Sequence, residues 1–463
     1  MFYDKFIKAF AFEPTSCQER LFHSVDKFLS SDDGDIMVVN GYAGTGKTSA
    51  VAAIVYALIG MGFKCSLMAP TGRSAKVLSQ IAGKPACTIH KGIYQQKSMS
   101  EGGVSEFSLA LNKLRHTLFV VDEASLIGVE SNSSHAVFGT GNLLADLVAF
   151  VRKGVDCRLL LIGDCAQLPP VELRESPALS KEAMAWFGGV CFESLTTVVR
   201  QAESSGILYN ATLLRKDLEC GQLALHTKGF PDIKRISGGE LIETLTDAYN
   251  KYGEDETIVV CRSNKKAIRY NLGIRNMVQF KEERLLRDDK LMIVKNCYQF
   301  LDEKSKMNYI ANGDVAELVK IGSFVDRYGL HFATATLYFP DYDEEITAKV
   351  ILDTLESESA SLTAEQSQAL FEGVWEDYAD QKNKRKRMSD VREDPFYNAL
   401  RLKYAYALTC HKAQGGQWDC VFIDCPFWLD EFAPEDLKWL YTALTRAKKM
   451  VYLVNFKDSY YAD

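Results

Sequence analysis

The segment Gly41-Tyr42-Ala43-Gly44-Thr45-Gly46-Lys47-Thr48 constrains this chain more than any other. It satisfies the pattern G-x-x-x-x-G-K-[ST] at every fixed position. The apolar run from Ile36 to Val39 before it reads as a buried strand, and Ser49 to Leu58 after it reads as a helix. That strand–loop–helix context is what the pattern requires. Glycines let successive backbone N–H groups curl around phosphate oxygens, and the helix N-terminus adds partial positive charge. Lys47 then reaches the terminal phosphates, and the Thr48 hydroxyl falls on Mg²⁺. The expected cradle is Gly41, Gly44, Thr45, Gly46, Lys47, Thr48 and Ser49. The alternative is a glycine-rich turn that holds nothing.

A chain of 463 residues is long enough for about two to four domains with real cores. Its 47% hydrophobic and 25% charged residues describe a globular protein. No run of about eighteen apolar residues occurs, so no membrane span is expected. The opening Met1-Phe2-Tyr3-Asp4-Lys5 lacks a secretory pattern. The twelve cysteines are scattered without a C-x-x-C pair, which suits reduced thiols in the cytoplasm better than zinc ligands or disulfides. A net charge of −7 argues against a nonspecific nucleic-acid coat, but not against a local groove.

Apolar runs alternate with helical patterns. Strands are expected at Ile36–Asn40, Cys65–Ala69, Thr117–Asp122 and Arg158–Gly163, and again at Thr257–Cys261, Tyr404–Leu408, Val421–Asp424 and Met450–Val454. This predicts two α/β domains with mostly parallel sheets. Between Leu285 and Leu400 the character changes to short strands at Lys290–Val294, Val315–Val319, Phe332–Phe339 and Ile346–Ile351. A charged, helical and exposed stretch follows from Leu355 to Arg392. It contains Lys382-Asn383-Lys384-Arg385-Lys386-Arg387, which is open between a backbone contact on nucleic acid and a solvated face.

Leu118 to Val121 is an apolar strand that ends in Asp122-Glu123. Such a strand delivers Asp122 to a Mg²⁺ shell and leaves Glu123 to orient or deprotonate water. A second strand ends in Gly163-Asp164-Cys165-Ala166-Gln167, where the Gln167 carboxamide is placed to sense a γ-phosphate; the bland alternative is a proline-stiffened loop.

At this point the ordered set resembles the superfamily-one helicases of the RecD/Dda-like branch. Gly41 to Thr48 resembles motif I, Ala69-Pro70-Thr71-Gly72-Arg73-Ser74-Ala75-Lys76 motif Ia, and Thr88-Ile89-His90 the short DNA-contact motif after it. Asp122 to Ser125 resembles motif II, Gly163 to Pro170 motif III, and Leu195 to Gln201 motif IV. Tyr406 to Gly415 resembles motif V, and Tyr441 to Ala447 motif VI. The resemblance implies two RecA-like P-loop NTPase domains, with a small hairpin insertion in the first and an SH3-like β-barrel insertion in the second. The corresponding limits are 1–200 with a pin at 91–112, then 201–284 with 401–463, then 285–400 for the barrel and its charged helices.

The resemblance also implies ATP and Mg²⁺ as cofactors and single-stranded DNA or single/double-strand junctions as partners. It implies a monomer, 5′-to-3′ movement, and work in DNA repair or recombination. It makes Arg200 and Arg446 arginine fingers, a role that the guanidinium fork suits, and adds Gln414 and Gly415 to the nucleotide site. Gln18 stands where the family reads adenine; an exposed helical glutamine is the other reading. Pro70, Thr71, Arg73, Lys76, His90, Thr409, His411 and Lys412 would face nucleic acid, contacting phosphates rather than bases. His90 stays open between that role and a core histidine. Within the Tyr94–Leu111 stretch, Phe107 is the aromatic available to stack on a base, if the stretch is a pin rather than a loop. Asn312-Gly313-Asp314 signals a hairpin turn within the barrel region.

An added loop from Gly128 to Gly141 departs from the family pattern and carries no assigned function. Two rivals remain. One is a nucleic-acid-stimulated ATPase that displaces proteins, or acts on RNA, without unwinding. The other is a phosphate-loop kinase, disfavoured by the paired arginine motifs.

Overall fold

The computed structural model describes residues 2–462 apart from 32, 97–106, 129–137, 200–203, 217–222, 302–304, 306, 308, 360 and 428–430. The chain forms two compact units, one of Met1–Gln95, Phe107–Ile236 and Ala413–Asp463, the other containing Ser237–Lys412.

The first unit is organised by a six-stranded parallel sheet, in the spatial order Ala86–Thr88, Lys64–Ala69, Thr117–Val121, Arg158–Gly163, Ile36–Gly41, Val190–Leu195. Its central strands are apolar along their whole length because both faces are covered. The helices Tyr3–Ala9, Ser16–Ser30 and Lys47–Gly60 supply much of one layer, burying Phe6, Leu21, Phe22, Ile54 and Leu58. Val121 lies beside Leu161, and Val39 beside Ile162. Parallel pairing in that register brings the strand ends at Gly41, Asp122 and Asp164 to one carboxyl edge. The same unit holds Trp418–Asp424, Ala447–Val454 and Ile233–Ile236 as parallel neighbours. The expected boundary at residue 200 therefore does not coincide with the edge of this unit. Side-chain bonds from 413–463 to the first sheet's loops, given below, explain why.

In the second unit, Thr257–Cys261 pairs in parallel with Ala407–Thr409. Five strands, Lys290–Ile293, Val315–Arg327, Leu330–Phe339, Glu344–Ile351 and Leu400–Tyr404, close into a barrel where the SH3-like insertion was expected. The last two run parallel, which obliges the chain to cross over through the helices Ala364–Asp377 and Lys384–Glu393.

Three expectations change here. The single strand expected at Tyr404–Leu408 is two strands. The Asn271 carboxamide takes the Tyr406 N–H (2.8 Å), the Ala407 N–H (2.8 Å) and the Ala407 carbonyl (2.9 Å), so the backbone between the two ladders is satisfied by a side chain. The charged Leu355–Arg392 stretch is helical but not freely exposed. Leu370, Val374 and Val391 are buried against Leu330, Phe332 and Ile351, and Arg387 lies 4.2 Å over the Trp375 ring. Asn312-Gly313 does form a tight turn, with the Asp314 N–H on the Ala311 carbonyl at 3.1 Å, but it is not the whole connection between the strands Lys290–Ile293 and Val315–Arg327. It closes the base of a longer arm bridged at Cys297 and Ile310, with the Gly313 N–H on the Ile293 carbonyl at 2.8 Å. Among the described residues, no helix is long and apolar enough to cross a membrane.

Candidate nucleotide site and strand-facing edge

The phosphate loop leaves the Ile36–Gly41 strand and enters the helix Lys47–Gly60. Gly44 and Gly46 hold φ of +73° and +69°, the left-handed region that a side chain would strain. Thr45 is buried, its hydroxyl donating to the Tyr42 carbonyl at 2.7 Å. Lys47 Nζ donates to the Gly41 carbonyl at 3.0 Å. Thr48 and Ser49 stand in the first turn of the helix.

Three acids gather around Lys47. Burial, then the neighbouring Glu123 charge, pushes Asp122 up to about 6, against the pull of Lys47. Burial also raises Asp164, with Lys47 and the Tyr441 hydroxyl opposing it. Glu123 itself sits at φ +53°, with its N–H on Asp122 Oδ1 at 2.8 Å. A left-handed non-glycine residue costs about 1–3 kcal/mol and is held only where its surroundings impose it. Glu123 Oε2 and Gln167 Oε1 are buried without a hydrogen-bond partner among the described residues. Each such acceptor costs about 1–3 kcal/mol, which a ligand's donors and cation can recover.

This donor set fits Mg²⁺ with a nucleoside triphosphate. It offers a helix N-terminus and left-handed glycines for phosphate, a desolvated carboxylate at Asp122 and the Thr48 hydroxyl for the ion, and the acceptors of Glu123 and Gln167. Mg²⁺ is usually held by one or two carboxylates plus phosphate oxygens, and among the described residues no group of three His, Cys, Asp or Glu side chains forms a metal cage.

Residues far along the chain complete the cluster. Tyr441, on the helix Pro434–Leu444, accepts the Ala43 N–H at 2.9 Å and donates to Asp164 Oδ2 at 2.6 Å. The Thr442 hydroxyl accepts the Leu168 N–H at 2.8 Å, and Gln414 Nε2 donates to the Leu168 carbonyl at 2.7 Å. Motifs I, III, V and VI thus meet through side-chain bonds within one compact unit. Arg446 is 2% exposed and donates to the Thr442 and Gly416 carbonyls at 3.1 and 3.2 Å and to the Thr445 hydroxyl at 3.3 Å. Arg200 lies outside the described residues. Asp164, Tyr441 and Thr442 lie inside these motifs and carry no role predicted from the sequence. The available signal was an acid directly after a second parallel strand, in register with Asp122.

Gln18 is buried rather than exposed. Its Oε1 accepts the Thr15 N–H at 2.8 Å as a capping box, and its Nε2 donates to the Thr45 carbonyl at 3.0 Å. In this conformation Gln18 ties a helix start to the phosphate loop, with one amide hydrogen and one oxygen lone pair left beyond these two bonds.

Of the strand-facing residues, Pro70, Thr71, Arg73 and Lys76 lie at the end of the Lys64–Ala69 strand and in the helix Gly72–Ala82. Thr71 caps that helix through Ser74 N at 3.1 Å. Arg73 lies 4.0 Å over the Trp418 ring and donates to the Gln417 carbonyl at 3.5 Å. Gly415, at φ +75°, packs so closely on Ser74 that a Cβ would strike its hydroxyl. Motif Ia and the end of motif V are therefore one surface.

His90 packs among Tyr94 and Phe138, and burial pushes its imidazole down to about 4. This supports the core reading and a neutral ring. Phe107 corrects its expectation: it is 7% exposed and stacked on Phe138 at 4.6 Å, so its ring is spent in packing. The strands Tyr94–Gln96 and Phe107–Leu109 pair as the root of the expected hairpin, whose tip, 97–106, lies outside the described residues. Thr409, His411 and Lys412 belong to the second unit, where burial lowers both His411 and Lys412, and Lys412 donates to the Asn312 side chain.

Residues 22–228 match the family described as AAA domain, and residues 404–454 match the UvrD-like helicase C-terminal domain. The chain is 30% identical over 176 residues to an ATP-dependent RecD2 DNA helicase of Deinococcus radiodurans, covering 38% of this chain and 21% of that protein. It is 30% identical over 166 residues to the ATP-dependent DNA helicase dda of Enterobacteria phage T4, covering 35% of this chain and 34% of that one. The chain thus matches about a fifth to a third of the length of these relatives. A crystal structure of Pif1 helicase from Bacteroides in complex with ADP-AlF3 and ssDNA aligns with 98% of this chain and 95% of its own, at 16% identity and a TM-score of 0.48.

Proposed function

We infer that this chain, which belongs to the superfamily-one helicases of the RecD/Dda-like branch, hydrolyses ATP to move along single-stranded DNA and part a duplex ahead of it. The observation that carries the reading is the Tyr441 hydroxyl, bonded at once to the phosphate loop at Ala43 and to Asp164 of motif III. A nucleotide held by the loop is thereby linked to motifs that the family couples to the strand.

In this reading Mg²⁺–ATP supplies the phosphoryl group and the cation that offsets its charge. Thr48 and Asp122 would hold the ion. Lys47, Ser49 and the N–H groups from Gly44 to Thr48 orient the phosphates. Glu123 takes the proton of the attacking water, Gln167 stands by to report the γ-phosphate, and Arg446 with Arg200 offers charge to the transition state. Gln414 holds Leu168 within motif III, and Gly415 packs on Ser74 of motif Ia. The strand would run over Pro70, Thr71, Arg73, Lys76, Thr409, His411 and Lys412, while His90 packs behind it. The domain limits read from the sequence, 5′-to-3′ polarity, single/double-strand junctions as substrate and a monomeric state belong to the same proposal.

Steady-state ATP hydrolysis with and without single-stranded DNA, with an RNA lane beside it, tests the reading. Strong stimulation by DNA, followed by separation of a 5′-tailed but not a 3′-tailed duplex, is the expected result. No stimulation by either polymer would remove the motor. Stimulation without separation would favour the protein-displacing ATPase.

The link itself makes a separate prediction. Tyr441→Phe leaves the Ala43 N–H and one Asp164 oxygen unpaired, at about 1–3 kcal/mol. Turnover is expected to fall about tenfold with a lowered melting temperature. Unchanged kcat would show that the bond is structural only.

A further inference from the structure

The insertion between motifs II and III returns to described structure at Phe138, and what it meets there is the hairpin root. Phe138 pairs with Phe107 in a parallel bridge, and the Gly139 N–H donates to the Phe107 carbonyl at 2.8 Å. The two rings stack at 4.6 Å, and the Tyr94 and His90 rings lie 5.3 and 4.9 Å from Phe138. Beneath them sits Asp146, 3% exposed, on the helix Leu143–Arg152. Its Oδ2 accepts the Tyr94 hydroxyl at 2.7 Å and the Thr140 N–H at 2.9 Å, and its Oδ1 accepts the Thr140 hydroxyl at 2.9 Å. Gly139 lies at φ +47°, where a Cβ would strike both Asp146 and Tyr94. The outgoing strand of the hairpin begins at Tyr94 and the returning strand at Phe107. Both strands and the returning insertion are thus tied around one buried carboxylate.

An isolated two-stranded sheet is marginal in water. A hairpin that splits a duplex must also resist the strand being pulled past it, and that load is borne at its root. Three hydrogen bonds here fix Tyr94 and Thr140 to a helix of the parallel-sheet unit. These bonds run to the hairpin root and the insertion, and not to the phosphate loop. We propose that Asp146 is a positioning residue for strand separation: with Tyr94, Thr140 and the Phe107–Phe138 stack it braces the hairpin root, and the returning end of the insertion, from Phe138 to Thr140, is part of that brace. This rests on the unwinding reading given above.

The test uses the full chain as wild type, Asp146→Asn and Tyr94→Phe. Three rates are compared: ATP turnover on single-stranded DNA, translocation along it, and separation of a 5′-tailed duplex. Turnover and translocation are expected to stay within about twofold, while duplex separated per ATP falls about tenfold in Asp146→Asn and about threefold in Tyr94→Phe. Amide exchange at Gly139 and Thr140 should quicken in Asp146→Asn while the Ile36–Gly41 strand keeps its protection. Wild-type separation per ATP in either variant overturns the brace. So does a parallel loss of ATP turnover, which would mark Asp146 as support for the motor core. Tyr94→Phe decides the matter if Asp146→Asn does not fold. A wild-type protein that turns over ATP on DNA but parts no duplex would instead sink the unwinding reading, and the two failures are told apart by the wild-type lane alone.

Discussion

Glu123→Gln is expected to bind ATP as tightly as the wild type and to hydrolyse it about a thousandfold more slowly. The buried Oε2 of Glu123 meets no donor among the described residues, so exchanging that oxygen breaks no hydrogen bond seen in the fold. Its backbone, at φ +53° with the N–H on Asp122, is held by the strand end rather than by the carboxylate. Glutamine keeps the shape and takes away the ability to accept a proton. The elements that grip phosphate, namely Lys47, the left-handed glycines and the helix N-terminus, are untouched. Single-turnover hydrolysis measured beside nucleotide affinity separates the two effects. Tight binding with stalled chemistry assigns the proton transfer to Glu123. Turnover within about tenfold of wild type would move that role elsewhere, and Asp164, the other raised acid near Lys47, would be the next candidate.

The parts of this molecule that were legible in sequence share a physical cause. Parallel strands covered on both faces must be apolar throughout, so Ile36–Gly41, Thr117–Val121 and Arg158–Gly163 announce themselves. The sheet's outer strands, Ala86–Thr88 and Val190–Leu195, do not. One is three residues long, and both are only partly buried, so neither carries the apolar signature. The strand expected at Tyr404–Leu408 divides because Tyr404, Tyr406 and Leu408 read as one apolar run, the charges of Arg401 and Lys403 hide the strand Leu400–Tyr404 before it, and nothing local shows that Asn271 interrupts the ladder.

The site divides in the same way. Lys47, Thr48, Asp122 and Glu123 were readable because strand–loop–helix geometry fixes their direction. Gln18 was found by resemblance, but its two backbone bonds depend on where the Ser16–Ser30 helix docks. Phe107 was misjudged because its partner, Phe138, lies in the insertion that sequence reading left without a role. The Tyr441 bridge joins positions 398 residues apart in sequence, a separation that no local pattern reports.

Lys47→Ala is expected to lose ATP turnover altogether, by more than about a thousandfold, and the electrostatics of the site say why. Removing one positioned donor from a developing oxyanion costs about 3–4 kcal/mol, which alone is a hundredfold or more. Lys47 does a second thing here. It is the cation that holds down both Asp122 and Asp164 against burial and the neighbouring Glu123 charge. Without it Asp122, already pushed up to about 6, rises further towards neutral pH, and protons compete for the carboxylate that would face Mg²⁺. The folded state then binds protons that the unfolded chain releases above its ordinary value of 3.8. Stability therefore falls as pH rises from that value through the raised one. The variant should melt lower than wild type, and the gap should widen from pH 5 to pH 8 as the uncompensated acids ionise. Thermal melting across that range, with and without Mg²⁺–ATP, reads both effects. Nucleotide should raise the wild-type melting temperature and leave that of the variant unmoved. A variant that is still stabilised by Mg²⁺–ATP, with a gap that stays flat in pH, would show that Lys47 is not the charge on which this cluster of acids depends.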